Sequence, residues 1–161
     1  MRLEAVLQWT ESTDALLRSY ANGIPTANGG THENGFGSAI VKAVRSFMEA
    51  KNIQPKGVTL TAEDIREGVV GILSVYIQNP QFQGQTKDRL NNPEAAQAVE
   101  QAVRPALEQW LLDNGSAGEA IVLETAGLQA QPKAAARRLL REAIRRVKGD
   151  LREIEYKHIE I

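Results

Sequence analysis

Apolar and polar residues alternate from Leu3 to Trp9. Leu3, Ala5, Leu7 and Trp9 share one face at a period of two, which predicts a β-strand. Thr10-Glu11-Ser12-Thr13-Asp14 is turn chemistry, and Ala15 to Ala21 is expected to pair back onto the first strand as a hairpin. Asn22-Gly23-Ile24-Pro25 and Asn28-Gly29-Gly30 then form a loop suited to positive φ. Beyond it the period changes. Phe36, Ala39, Ile40, Ala43, Val44, Phe47 and Met48 recur at helical spacing, with Ser38, Lys42, Arg45 and Glu49 on the other face.

Thr61 reads as an N-cap, with Asp64 at the N3 position and Glu63 near the positive helix end, for a short helix from Ala62 to Glu67 that stops at Gly68. The run Val69 to Ile77 predicts a central strand buried on both faces. Asn92 and Pro93 are N-cap and N1 signals for a helix to about Leu112, in which Pro105 predicts a kink or break. Ala120 to Leu123 is expected as a last strand. Pro132 then opens a helix that would bury Ala136, Leu139, Leu140, Ala143, Ile144 and Val147, ending at Gly149 and Asp150. The tail from Leu151 to Ile161 has no single period and reads as a frayed or packed terminus. The order β-β-α-α-β-α-β-α indicates an α/β fold, bordering on α+β, with helices covering one small mixed sheet. Leu7, Trp9, Phe36, Ile40, Val44, Phe47, Ile72 and Val75 are the expected core of a cooperative monomer.

Composition narrows the classes. The 161 residues fit one domain, and 42% hydrophobic with 24% charged residues excludes disorder and low complexity. Zero cysteines exclude disulfides, thiolate metal sites and a cysteine nucleophile, and point to a reducing, cytoplasmic setting. No apolar run approaches the ~18 residues of a membrane span, and Glu4 stands where a signal peptide would be apolar. Net charge is −1, yet Lys133, Arg137, Arg138, Arg141, Arg145, Arg146 and Lys148 crowd the last predicted helix against Glu142 alone. Such a run is ordinarily a solvated face. It also offers phosphate contacts, without aromatic residues for base stacking.

Two clusters carry candidate chemistry. Gly29-Gly30-Thr31-His32-Glu33-Asn34-Gly35-Phe36 precedes the first long helix, where the glycines open unusual backbone geometry and Thr31 can cap. An isolated His32 in such a place is as a rule a hydrogen-bonded structural residue. Pro80-Gln81-Phe82-Gln83-Gly84-Gln85-Thr86-Lys87 leaves the buried strand at its C-terminal end, the edge that ligands of α/β folds favour. There Gly84 permits close approach of a bound group, Gln85 can donate an amide hydrogen bond, and Lys87 is a mobile point charge suited to a terminal phosphate. Taken alone, Gln-Thr-Lys is an ordinary solvated loop.

Together the clusters carry a resemblance. Asn22-Gly23-Ile24-Pro25, Gly29-Gly30-Thr31-His32, Gly35-Phe36, Asp64-Ile65-Arg66-Glu67-Gly68, Ser74-Val75, Pro80, Phe82, Gln85-Thr86-Lys87 and Leu90 stand in order. From about Leu3 to Lys148 the chain resembles the transducer domain of the ATPase (B) subunit of bacterial type IIA DNA topoisomerases, the gyrase B and topoisomerase IV B proteins. The resemblance implies a left-handed β-α-β crossover, against the usual hand. It implies that Gln85 and Lys87 reach the γ-phosphate of ATP, bound with Mg2+ mainly by a neighbouring nucleotide-binding domain, with Lys87 in the catalytic role. It implies a structural role for Thr31 and His32. It also implies partners: that domain, the DNA-cleavage core, an A-type subunit and double-stranded DNA.

Departures from the family pattern accompany the match. Many relatives carry a basic residue directly after the matching Phe, facing the DNA-holding cavity; here it is Gly37, with Lys42 and Arg45 as substitutes, and Tyr76 stands where Lys is frequent. Lys42, Arg45, Arg137, Arg141 and Arg145 are the candidate DNA contacts. The nucleotide pocket, the glycine-rich lid, the Glu-Gly-Asp-Ser metal motif and a tyrosine nucleophile context are missing from these residues. The expectation is therefore a transducer domain over residues 1–148, a tail over 149–161, and no ATP hydrolysis by the chain alone. A non-enzymatic interaction protein that kept the fold without its ATPase partner is the alternative.

Overall fold

The computed structural model describes residues 1–10, 14–53, 59–129 and 157–160. Its elements run β1 (Arg2–Trp9), β2 (Leu16–Ala21), β3 (Ile24–Pro25), α1 (Thr31–Ala50), α2 (Ala62–Arg66), β4 (Val69–Tyr76), β5 (Phe82–Gln83), β6 (Arg89–Leu90), α3 (Pro93–Asp113), α4 (Gly115–Gln129) and β7 (Lys157–Glu160). Five strands form one mixed sheet in the order β3-β2-β4-β1-β7, and β5 and β6 form a separate two-stranded hairpin.

The alternation in β1 lands where it predicts. Leu3, Ala5, Leu7 and Trp9 pair antiparallel with Val75, Leu73, Gly71 and Val69 of β4, so all eight share the inner face of the sheet. The expected hairpin between β1 and β2 does not form. β2 pairs instead with β4, in parallel, setting Leu17, Ser19 and Ala21 opposite Gly71, Leu73 and Val75. The most apolar strand thus takes the centre and is flanked on both edges. A parallel pair needs a long crossover, and α1 and α2 supply it between β2 and β4.

β4 is central, but not buried on both faces as its unbroken apolar run predicts. Val69, Gly71, Leu73 and Val75 point inward, whereas Ile72 and Tyr76 remain 51% and 44% exposed. Ile72 therefore leaves the expected core set, and Leu7 and Trp9 only pack against it. The described helices cover one face of the sheet, giving a mixed α/β fold.

α1 lies against that face, with Phe36 beside Gly71, and its other side packs on α3. At Gly35 the two helices touch backbone to backbone: a Cβ there would stand 2.2 Å from the Ala96 carbonyl oxygen. α3 answers with Ala95, Val99, Val103, Leu107 and Leu111, buried at four-residue steps. Pro105 does not break it, and the helix is continuous from Pro93 to Asp113. Both Pro105 and Gln101, whose carbonyl loses its partner, are exposed, so solvent can replace the missing bond.

α2 ends one residue early, at Arg66, and its start is the predicted one: Thr61 and Asp64 form a reciprocal capping box. The strand expected at Ala120–Leu123 is instead part of α4, which packs on α1, α2 and α3 with Val122 fully buried. Short apolar runs cannot separate strand from buried helix by period. The tail supplies β7, whose backbone pairs with β1 from Leu7↔Lys157 to Glu4↔Glu160. The predicted Pro132 helix and its arginines, and Gly149-Asp150, lie outside the described residues. Among the described residues no helix is long and apolar enough to cross a membrane.

Candidate functional site

β5 and β6 pair only through Phe82↔Leu90 and Gln83↔Arg89, and Gly84 to Asp88 form the tip that joins them. Gly84 (φ +76°) and Lys87 (φ +57°) both take left-handed backbone, which turns the chain back on itself. Gln85, Thr86 and Lys87 are all exposed. No side-chain hydrogen bond or ion pair engages Gln85 or Lys87 among the described residues. The tip presents an exposed donor and an exposed cation on a tight turn.

A two-residue ladder is marginal in water, so the hairpin is held from outside, on two sides. On one side the turn before α1 clasps β6. The Asn28 amide donates to the Asp88 carbonyl (2.9 Å), the Leu90 amide to the Gly29 carbonyl (3.1 Å), and Arg89 Nη1 to the Asn28 carbonyl (3.0 Å). Gly30 forms a parallel bridge with Leu90. Only glycine fits there, since φ is +148° and a Cβ would lie 2.3 Å from the Leu90 carbonyl oxygen.

On the other side stands Asn92, whose side chain is buried. Its Oδ1 accepts the Gln81 amide (2.6 Å), and its Nδ2 donates to the Asn79 carbonyl (3.1 Å) and to Glu94 Oε1 (2.7 Å). That bond holds the Glu94 carboxyl below its ordinary range. Asn92 occupies the N-cap position of α3 as expected, but its side chain makes no cap bond. The two sequence clusters, some fifty positions apart, are therefore one unit: the Gly-Gly turn grips the strand that carries Gln-Thr-Lys.

Beneath the turn runs a buried polar chain. Ser19 Oγ donates to Glu33 Oε1 (2.5 Å), Ser19 and Thr26 hydroxyls meet at 2.5 Å, and Thr26 Oγ1 faces His32 Nε2 at 3.1 Å. Each hydroxyl has one proton, so the carboxylate end sets the direction: Thr26 donates to Ser19, and His32 Nε2–H donates to Thr26. His32 is fully buried, and desolvation lowers its pKa to about 4. It is a neutral structural histidine with a fixed tautomer. Its Nδ1 and the Thr31 hydroxyl have no partner among the described residues. Thr31 does not cap α1 as expected. Gly30 takes the N-cap position without a side-chain bond, and Thr31 is the first helical residue.

Of the basic candidates, Lys42 Nζ lies 2.5 Å from Glu100, which also accepts from Ser38 (2.6 Å). These bonds, Lys42's first, hold the Glu100 carboxyl below its usual range. Arg45 is exposed and has no ion pair among the described residues. Gly37 lies beneath Arg66, whose Nη1 would be 3.3 Å from a Cβ there. Arg137, Arg141 and Arg145 lie outside the described residues. Among the described residues no group of three or more His, Cys, Asp or Glu could hold a metal ion.

The sequence profile described as DNA gyrase B matches residues 1–142. The chain belongs to the DNA gyrase B family. It is 40% identical to the B subunit of DNA gyrase from Chlamydia muridarum over 91% of its own length, and 42% identical to the B subunit of DNA topoisomerase 4 from Salmonella typhimurium over 87%. It spans only 18% and 22% of those relatives. Among solved structures it is similar to the 43K ATPase domain of Thermus thermophilus gyrase B, at TM-score 0.71 and 37% identity over 88% of this chain and 38% of that one. It is also similar to the topoisomerase IV ATP-binding domain of Francisella tularensis, at TM-score 0.70 and 36% identity over 77% of this chain and 34% of that one. The gyrase B-family chain shares the mixed α/β architecture of these ATPase-region structures, and with it the B subunits of type IIA topoisomerases are its relatives.

Proposed function

We propose that this chain is the transducer module of an ATP-dependent type IIA DNA topoisomerase. The observation that carries the reading is the hairpin tip: an ammonium and a neutral donor, Lys87 and Gln85, whose side chains bond no other described residue, on a turn clasped from two sides. In this reading the tip reaches the γ-phosphate of ATP bound by an adjoining nucleotide-binding domain, which also holds the Mg2+. ATP supplies the phosphoryl group whose transfer to water drives the cycle. Lys87 presents a compact charge where the phosphoryl oxygens gain negative charge, and Gln85 orients them through its amide. Once the γ-phosphate leaves, nothing holds the tip in the neighbour and the two domains rotate, a hinge-type switch that relays hydrolysis to strand passage.

The chain alone is then inactive, and belongs to an isomerase working with a cleavage core, an A-type subunit and double-stranded DNA in the cytoplasm. Arg45 and the arginines at 137, 141 and 145 are its proposed DNA contacts. The test is complementation: mixing the chain with a separately produced nucleotide-binding domain of the family and measuring ATP turnover. Turnover that requires both is expected. A nucleotide-binding domain indifferent to the chain would favour a non-enzymatic interaction protein.

A further inference from the structure

Asn92 stands where the spacing Asn92-Pro93 predicts a helix cap, yet its amide makes no cap bond. The side chain is 1% exposed, and none of its hydrogen bonds goes to the free amides of α3. Its oxygen and one hydrogen reach across eleven to thirteen residues to the Gln81 amide and the Asn79 carbonyl, on the segment that enters the hairpin. Its remaining hydrogen goes to Glu94 on α3 itself. The neighbouring Asn91 amide adds a bond to the Gln81 carbonyl (2.8 Å). One side chain thus ties the entry of the hairpin to its exit and to the first turn of the helix that packs on α1.

We propose that Asn92 is a positioning residue for the Gln85-Thr86-Lys87 tip, closing the base of the hairpin so that Lys87 is presented at a fixed place and height. The proposal rests on the phosphate-contact reading for its consequence in turnover, but not for the clasp itself. Only an amide fits the clasp, because the site needs one acceptor and two donors from the same group. Aspartate keeps the acceptor for Gln81 and sets its one other oxygen against the Asn79 carbonyl and Glu94. Serine is too short to span both. Both are good N-caps, so a residue serving only to start α3 would tolerate either change.

The experiment is amide hydrogen exchange on the full chain carrying Asn92→Asp or Asn92→Ser, with ATP turnover of each mixed with a nucleotide-binding domain. The Asn91 and Leu90 amides should exchange about tenfold faster in both variants, while the interior amides of α3 keep their protection. kcat should fall at least ~5-fold with KM for ATP within ~2-fold, the signature of an interaction made mainly in the transition state. Parental exchange at Asn91 and Leu90 in both variants would overturn the proposal. So would equal loosening throughout α3, which marks a cap. Lys87→Ala serves as the reference: unchanged turnover there removes the phosphate reading, and the exchange data still decide the clasp.

Discussion

The root of the hairpin and its tip are built on opposite principles. At the root, Gly30 touches the Leu90 backbone, Asn92 is buried with three bonds, and His32 ends a chain of buried hydroxyls. At the tip, Gln85, Thr86 and Lys87 are exposed, and no side-chain bond engages Gln85 or Lys87 among the described residues. Substitutions at the root should therefore act on stability and, through the placing of the tip, on turnover, whereas substitutions at the tip should act on chemistry alone. A site that must reach into a neighbour needs both, because a free charge is useful only when its origin is fixed.

The comparison is broken most forcefully at Gly30. Gly30→Ala places a Cβ against backbone that cannot move aside, at a φ closed to side chains. A cost of about 3 kcal/mol or more is expected, lowering the melting temperature by roughly 10 °C. A parental melt would mean that the turn and hairpin are not in contact.

His32 sharpens it through pH. With a folded pKa of about 4 against an ordinary 6.5, the unfolded chain binds the extra proton first. Stability should fall as pH drops from about 6.5 to 4 and lose no more from this group below that, with a total near 3 kcal/mol. Denaturant unfolding across that range measures it, and His32→Gln should flatten the slope. An unchanged slope in the variant would place the titration elsewhere.

The smallest effect belongs to the candidate DNA contacts. Binding of the chain to duplex DNA should be weak, sequence-blind and steeply salt-dependent. Replacing Arg137, Arg141 and Arg145 with Gln should reduce the slope of log affinity against log salt by up to ~0.9 for each phosphate no longer neutralised. Arg45→Gln should act in the same sense by a single phosphate. Equal slopes for variants and parent would remove these arginines from the interface.

How much of this is legible in the sequence depends on whether a signal is local. The period-two face of β1, the helical stripe of α1 and the Thr61–Asp64 cap are short-range patterns, and the structure has each in its expected place. The partner of β2 is not legible, because pairing with β4 rather than β1 is decided by contacts some fifty residues away. Ile121 and Val122 in α4 carry β-branched side chains whose strand preference tertiary packing overrides. The tip residues are visible as a motif. Their support is not, since the side chain of Asn92 gives the same sequence signal whether it caps a helix or ties a hairpin. The Asn28-Gly29-Gly30 turn is legible as a loop, and only the fold shows what it grips.

The most direct measurement is ATP turnover of Lys87→Ala mixed with a nucleotide-binding domain, alongside a thermal melt of the same sample. Truncation removes no buried volume, so the melting temperature should stay within about 2 °C of the parent. Turnover should fall ~100–1000-fold, the usual loss when one preorganised donor to a transition-state oxyanion is removed. Lys87→Arg should rescue poorly, since a planar guanidinium cannot replace a compact point charge at one phosphate, and Gln85→Ala should cost less. A parental melt with this loss is the predicted result. Near-parental turnover would contradict the phosphate contact, and a collapsed melt would make Lys87 part of the root instead of the tip.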